Sequence, residues 1–166
     1  ISGEWGVTAL FLLAIPQAVG LAMWALALSM FKIHNSTLQF RDFKGYAQQS
    51  PVASAGIVLA HLSLAGMPLL ASFPAIFSIW EGVAQNSTGA AIWFGLGLAG
   101  LLIGAIRTLA VLVMSPEEEG WKWAGSWDQN ILLISSIVFL FLIGLFPQWL
   151  RPFLFDLPSV FEHLGV

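Results

Sequence analysis

The chain has 166 residues, of which 58% are hydrophobic and only 9% are charged, and its net charge is -3. Soluble domains contain about 25% charged residues, so this composition excludes an ordinary water-soluble domain. The small acidic excess lies mainly at residues 117–119, which excludes a nucleic-acid-binding patch and a polybasic lipid site. The sequence has no cysteine, which excludes disulfides, thiolate metal sites and cysteine-ligated iron–sulfur clusters.

Four long apolar runs dominate the sequence, at about 5–31, 52–84, 90–114 and 131–146. Runs of this length with almost no charge are typical of membrane-spanning helices. We therefore predict one all-α integral membrane domain over residues 1–166, with four transmembrane helices. The tail, 148–166, carries an apolar stripe beside charged side chains, which predicts an amphipathic segment lying along the membrane interface. Because the sequence begins at Ile1, we also expect it to be part of a longer chain.

The second run is too long for one straight span. Its 33 residues would form a helix of about 50 Å, against roughly 30 Å of hydrocarbon. Gly66, Pro68 and Pro74 weaken backbone hydrogen bonding in its middle and predict an interrupted helix. Such interruptions often mark transport paths, although a simple proline kink followed by an interfacial tail fits these residues equally well.

The third run contains a row of small residues at Gly97, Gly100 and Gly104, and the last two form a G-x-x-x-G motif. This pattern predicts a face that packs closely against another helix.

Ionisable side chains within a span are costly and therefore indicate function. Three are candidates for a proton path: His61, Glu81 and Arg107. Each also has a structural explanation, which is a hydrogen bond to a neighbouring helix for His61, solvation at the boundary for Glu81, and snorkelling for Arg107. The sequence offers no nucleophile paired with a base, no phosphate-binding loop and no metal-ligand spacing. We therefore expect no catalytic residues, no metal and no cofactor of its own.

The charges of the connecting segments predict which side of the membrane each segment faces. Four crossings put segments 32–50 and 115–129 on one side, and they carry more Lys and Arg than the opposite side. The positive-inside rule places these segments in the cytoplasm and both termini on the other side.

Several short motifs occur in an order that resembles a known family: Gly45-Tyr46, Ser50-Pro51, Leu62-Ser63-Leu64-Ala65-Gly66-Met67-Pro68, Phe73, Ile103-Gly104 with Arg107, and Gly144-Leu145-Phe146-Pro147. The family is the antiporter-like proton-translocating membrane subunits of NADH:quinone oxidoreductase, respiratory complex I, and the N-type subunit is the most similar. The resemblance implies that this chain corresponds to the last four of about fourteen helices. It also implies a bacterial inner membrane or an organellar energy-transducing membrane, other membrane subunits as partners, and only an indirect link to quinone.

The departures from the family pattern concern the interrupted helix. The family's protonatable lysine falls on Ile76, its neighbouring glycine on Ser72, and the second proline of its pair on Leu69. The leading hypothesis is therefore a membrane-arm subunit of a redox-driven proton-translocating complex, with His61 as the nearest substitute for the lysine. The alternatives are a non-conducting structural subunit and a sodium/proton antiporter subunit.

Overall fold

The computed structural model describes residues 3–34, 43–114 and 125–149. The regular elements in these ranges are helices: α1 (Gly3–His34), α2 (Tyr46–Gln49), α3 (Pro51–Leu64), α4 (Phe73–Asn86), α5 (Thr88–Val113) and α6 (Trp127–Leu145), followed by a short 3-10 helix (Pro147–Trp149). The all-helical fold and the interruption of the second run are confirmed. Residues 150–166 of the predicted interfacial tail, and residues 35–42 and 115–124 of the two connecting segments, lie outside the described residues.

The helix ends differ from the predicted ones by a few residues, for reasons of capping. α5 begins at Thr88, two residues before the predicted start, because the Ser87 hydroxyl accepts a hydrogen bond from the backbone N–H of Ala90. α6 begins at Trp127, four residues early, because Ser126 caps it in the same way through Gln129 N–H. α1 continues to His34, so that Lys32, predicted to lie in a connecting segment, is helical.

The core lies where α1, α3 and α6 meet. Leu133 and Leu140 of α6 and Ala27 of α1 are fully buried there, as are Ala53 and Ala60 of α3. Close approach of the three helices requires small residues. A Cβ added at Gly56 would lie 3.2 Å from Leu133 Cδ2 and 3.7 Å from Met23 Cγ. The missing side chain of this glycine therefore lets α3 pack closely against α6 and α1.

An aromatic cluster closes the end of the bundle where α1 leads into α3. The ring of Phe31 lies 4.4 Å from that of Tyr46 and 5.2 Å from that of Phe43, measured between centroids. Gly45 has φ of 74°, and its N–H donates to Val111 O at 3.3 Å, so the turn is tied to α5. Burial raises the pKa of the Tyr46 phenol.

Among the described residues, three helices are long and apolar enough to cross a membrane: Leu12–Lys32 within α1, α5 and α6. α3 has 14 residues and is about 21 Å long, so it does not cross roughly 30 Å of hydrocarbon by itself. The second predicted span therefore consists of α3 and α4 together. Large apolar side chains are exposed along the outer faces, including Trp93 at 76% and Ile103 at 65% exposure. A surface of this kind is stable in lipid, and the chain is an integral membrane protein.

Candidate functional site

The interruption occupies residues 65–72, between α3 and α4. Gly66 N–H donates to Ser63 O at 3.0 Å, and Met67 N–H donates to Leu62 O at 3.0 Å, which together form a Schellman cap. Gly66 has φ of 70°, the left-handed conformation that this cap requires. The cap ends α3 and satisfies carbonyls that would otherwise be unpaired in the interior of the protein.

Only two of the three residues predicted to break the helix do so. Gly66 ends α3 and Pro68 lies in the turn that follows. Pro74, by contrast, is the second residue of α4. The prediction that Pro74 breaks the helix is therefore wrong, because a proline in the first helical turn lacks only an N–H that has no partner within the helix.

A pair of buried hydroxyl groups joins the two half-helices. Ser63 Oγ lies 3.2 Å from Ser72 Oγ, and both residues are fully buried. Ser72 O also accepts the N–H of Ile76 at 3.0 Å. Sequence reasoning noted Ser72 only as a departure from a family pattern and did not single out Ser63. A serine on each side of a predicted break, within an apolar run, is a signal that would have found them.

This pair predicts a non-additive effect on stability. Ser63→Ala leaves the Ser72 hydroxyl buried without its partner, and Ser72→Ala does the same to Ser63, each at a cost of about 1–3 kcal/mol. The double variant removes both groups and should cost clearly less than the sum. A double-mutant cycle on the thermal stability of the purified protein in detergent measures this coupling. Additive losses would contradict a direct interaction between the two hydroxyls.

α6 packs directly on the backbone of the interruption. A Cβ added at Gly144 would collide with the carbonyl oxygen of Leu69 and lie 2.6 Å from the carbonyl carbon of Leu70. Leu69 has φ of 75°, which is uncommon for a residue with a side chain, and its side chain is exposed. The sequence indicated Gly144 as part of a motif but gave no sign that it contacts the break.

Ile76 fills the position where the family pattern has a lysine. It is 5% exposed, and a Cβ at Gly66 would lie 3.0 Å from its Cγ2. The two residues therefore pack against each other across the interruption. A cavity of about 220 Å³ adjoins them, lined on its other sides by aromatic residues of α4 and by Gly95 and Leu98 of α5.

His61 lies in α3, one turn before the interruption, and faces a cavity of about 250 Å³ between α1, α3 and α5. Its ring and that of Trp24 of α1 are nearly perpendicular, with their centroids 5.9 Å apart. Thr108 of α5 lines the same cavity, and its hydroxyl donates to Gly104 O at 2.9 Å. The Nδ1 atom of His61 is buried and has no hydrogen-bond partner among the described residues. The imidazole thus lies in a mostly apolar cavity whose other polar lining includes Thr108.

Glu81 and Arg107 do not join His61. Glu81 is exposed near the end of α4, and Arg107 is exposed on α5. Neither lines the His61 cavity, although Thr108 beside Arg107 does. In the parts of the chain that the structure describes, no group of His, Cys, Asp and Glu side chains is arranged to hold a metal ion.

The predicted glycine face of α5 has no partner helix among the described residues. A Cβ added at Gly97, Gly100 or Gly104 would meet no atom within 4 Å. The buried face of α5 contains Ala91, Ala105 and Leu112, which repeat at multiples of seven residues. Gly97 and Gly104 are displaced from this face by one residue, which is about 100° around the helix. Close packing of the glycine face against another subunit stays a prediction.

Residues 1–104 match the family described as NADH:quinone oxidoreductase/Mrp antiporter, TM. This match covers more than half of the chain and includes the interruption with both of its half-helices.

Individual relatives agree with the family match. Over 86% of this chain, the sequence is 24% identical to NADH-quinone oxidoreductase subunit N of Moorella thermoacetica. Over 97% of the chain, it is 25% identical to NADH-quinone oxidoreductase subunit 13 of Thermus thermophilus. Over 66%, it is 30% identical to subunit N of Desulforamulus reducens. The chain spans 30%, 34% and 23% of the length of these three relatives, respectively.

Proposed function

Because the chain belongs to the NADH:quinone oxidoreductase/Mrp antiporter transmembrane family, we propose that it acts in the membrane arm of a redox-driven proton-translocating complex resembling complex I. The observation that carries this proposal is the interruption at residues 65–72, which lies within the matched region. An interrupted helix puts backbone polar groups and half-helix ends in the middle of a span, where ion and proton paths are built.

His61 is the proposed proton carrier. Neutral imidazole accepts a proton on one ring nitrogen and releases the proton held on the other, which returns the ring to neutrality. His61 lines a cavity one helical turn before the interruption, and its Nδ1 is buried without a hydrogen-bond partner among the described residues. Glu81 is the proposed carboxylate for proton exchange with a neighbouring subunit. Arg107 would act through the positive charge of its guanidinium group.

Replacing His61 tests this role. In the assembled complex, His61→Gln and His61→Ala should lower the number of protons moved per electron transferred, because neither amide nor methyl relays a proton at neutral pH. NADH oxidation with an artificial electron acceptor should stay near the wild-type rate and serves as the control. The measurement is the proton-to-electron ratio in sealed vesicles. An unchanged ratio in both variants would rule out His61 as a carrier.

Ile76 supports a second candidate, a non-conducting structural subunit. Its aliphatic side chain carries no proton, and it is buried against Gly66 in place of the family's lysine. The His61 experiment separates the two candidates, since a purely structural subunit predicts the unchanged ratio. A sodium/proton antiporter subunit predicts sodium-dependent transport in the same vesicles. The three relatives named above are all NADH-quinone oxidoreductase subunits and do not favour it.

The orientation is part of the same proposal. Segments 32–50 and 115–129 face the cytoplasm and both termini face the opposite side, as the distribution of Lys32, Arg41, Lys44 and Lys122 supports. Other membrane subunits and lipid cover the exposed apolar faces, and quinone chemistry takes place elsewhere in the complex. Proteolysis of sealed vesicles at Lys122 from the cytoplasmic side alone would support this orientation.

A further inference from the structure

No hydrogen bond among the described residues orients the ring of His61 through Nδ1, which is buried without a partner there. The hydroxyl of Thr108, in the wall of the same cavity, donates its proton to Gly104 O at 2.9 Å and therefore does not donate it to the imidazole. Where a histidine acts on a proton or a metal, a hydrogen bond to its second ring nitrogen commonly fixes the ring. For His61, packing must supply that restraint.

Trp24 of α1 makes the one aromatic contact of His61 in the part of the chain that the structure describes. The two ring planes lie at 84° to each other, with their centroids 5.9 Å apart. A perpendicular arrangement at this distance is one that aromatic rings prefer. Both side chains are half-buried and both line the His61 cavity. The indole therefore lies where it restricts rotation of the imidazole.

The helix segments that carry the two rings are held by close packing. Ala27, one turn after Trp24, and Ala60, next to His61, are both fully buried in the core. A Cβ added at Gly56 of α3 would lie 3.7 Å from a side-chain atom of α1, so the two helices approach closely here. Side chains on packed helices are positioned more precisely than side chains on loops. The contact between the two rings thus rests on a fixed separation of α1 and α3.

We propose that Trp24 is a positioning residue for His61. Its indole takes the place of an orienting hydrogen bond and holds the plane of the imidazole within the cavity. This inference rests on the proposed function, because the orientation of the ring affects proton movement only if His61 carries protons. The indole N–H is a donor only, so Trp24 acts through His61 and carries no proton itself.

Removal of the indole tests this role in the assembled complex. Trp24→Leu should cause most of the fall in the proton-to-electron ratio that His61→Gln causes, whereas Trp24→Phe keeps a ring and should retain most of the wild-type ratio. Leu28→Ala is the matched control, because Leu28 lies one turn further along α1 and lines the same cavity without a ring. An equal fall in Leu28→Ala would overturn the role of the indole. Trp24→Met, which also lacks a ring, replaces the leucine variant if that one does not assemble.

A double variant separates positioning from a general structural role. If Trp24 acts through His61, the variant that combines Trp24→Leu with His61→Gln should have the same proton-to-electron ratio as His61→Gln alone. The effects of residues that act as a unit do not add, whereas independent structural losses do. A further fall of the ratio in the double variant would overturn the positioning role.

Chemical modification of His61 gives a readout that does not depend on pumping. Diethyl pyrocarbonate acylates a neutral imidazole nitrogen, and mass spectrometry of this chain, isolated from the treated complex, gives the rate at His61. We expect a rate several-fold higher in Trp24→Leu than in wild type or in Leu28→Ala, because the imidazole turns freely without the indole and Nδ1 no longer stays buried. Equal rates in Trp24→Leu and Leu28→Ala would overturn this inference.

The proposed function and the positioning role fail in different ways. A normal proton-to-electron ratio in His61→Gln removes the proposed function, and the modification rates still report whether Trp24 holds the ring. A lowered ratio in His61→Gln together with a normal ratio in Trp24→Leu removes the positioning role alone.

Discussion

Gly144→Ala is expected to disrupt the packing of α6 on the interruption and to have the largest effect of the glycine-to-alanine substitutions among the described residues. The new Cβ would collide with the backbone carbonyl of Leu69, and a backbone atom does not rotate away as a side chain does. α6 must therefore shift, or the turn at residues 65–72 must rearrange. Overpacking of this kind costs about 1–3 kcal/mol or more. The expected result is a markedly lower thermal stability in detergent and a lower yield of assembled protein.

Gly89→Ala is the control for this substitution. Gly89 is also helical, but its added Cβ would make only an ordinary contact, 4.0 Å from Ser87 Oγ. Alanine in a helix is favoured over glycine, so this variant should be as stable as wild type or slightly more so. Equal stability of Gly144→Ala and Gly89→Ala would show that α6 does not lie against the interruption as described.

Gly66→Ala is expected to have the second largest effect, for two reasons that add. A φ of 70° costs an alanine about 1–2 kcal/mol relative to glycine. The added Cβ would also lie 3.0 Å from Ile76 Cγ2 and 3.1 Å from its Cδ1, so that Ile76 must move. The substitution should therefore strain the Schellman cap, and the hydrogen bond between the Ser63 and Ser72 hydroxyls should be lost. Loss of thermal stability together with a lower proton-to-electron ratio is the expected outcome.

Gly95→Ala serves as the comparison for Gly66. Gly95 borders the same cavity beside Ile76, but its Cβ would lie 3.9 Å from Trp80 Nε1 and its backbone is helical. Gly66→Asn further separates the two causes, because asparagine tolerates the left-handed conformation better than alanine but is larger. If Gly66→Ala were as stable as Gly95→Ala, neither the positive φ nor the contact with Ile76 would be important.

The helical spans and the interruption could be predicted from the sequence because they depend on local properties. Long apolar runs require helices in lipid, and a 33-residue run that contains Gly66 and Pro68 is too long to continue unbroken. The wrong prediction of a helix break at Pro74 also came from a local property of the sequence. A proline weakens a helix interior but suits a helix start, and the sequence did not show which of these positions Pro74 occupies.

The contacts of the candidate site were less accessible to sequence reasoning because they join residues far apart in the chain. The approach of Gly144 to Leu69 and the cavity shared by His61, Trp24 and Thr108 depend on how the helices cross. The glycine face of α5 stays a prediction, since Gly97 and Gly104 lie beside the face that is buried within this chain. His61 itself could be identified from the sequence, because an ionisable side chain within an apolar run costs free energy and is therefore uncommon.

The division of the second span into two half-helices also has an electrostatic consequence. The negative end of the α3 dipole and the positive end of the α4 dipole meet across the Ser63–Ser72 contact, within the membrane domain. Ile76 is the fourth residue of α4, beside the positive end. A lysine at that position would have its ammonium form disfavoured both by burial and by the α4 amides, so it would release its proton easily. With isoleucine there, the two half-dipoles face each other without a mobile charge between them, and the proposed carrier, His61, lies on the α3 side.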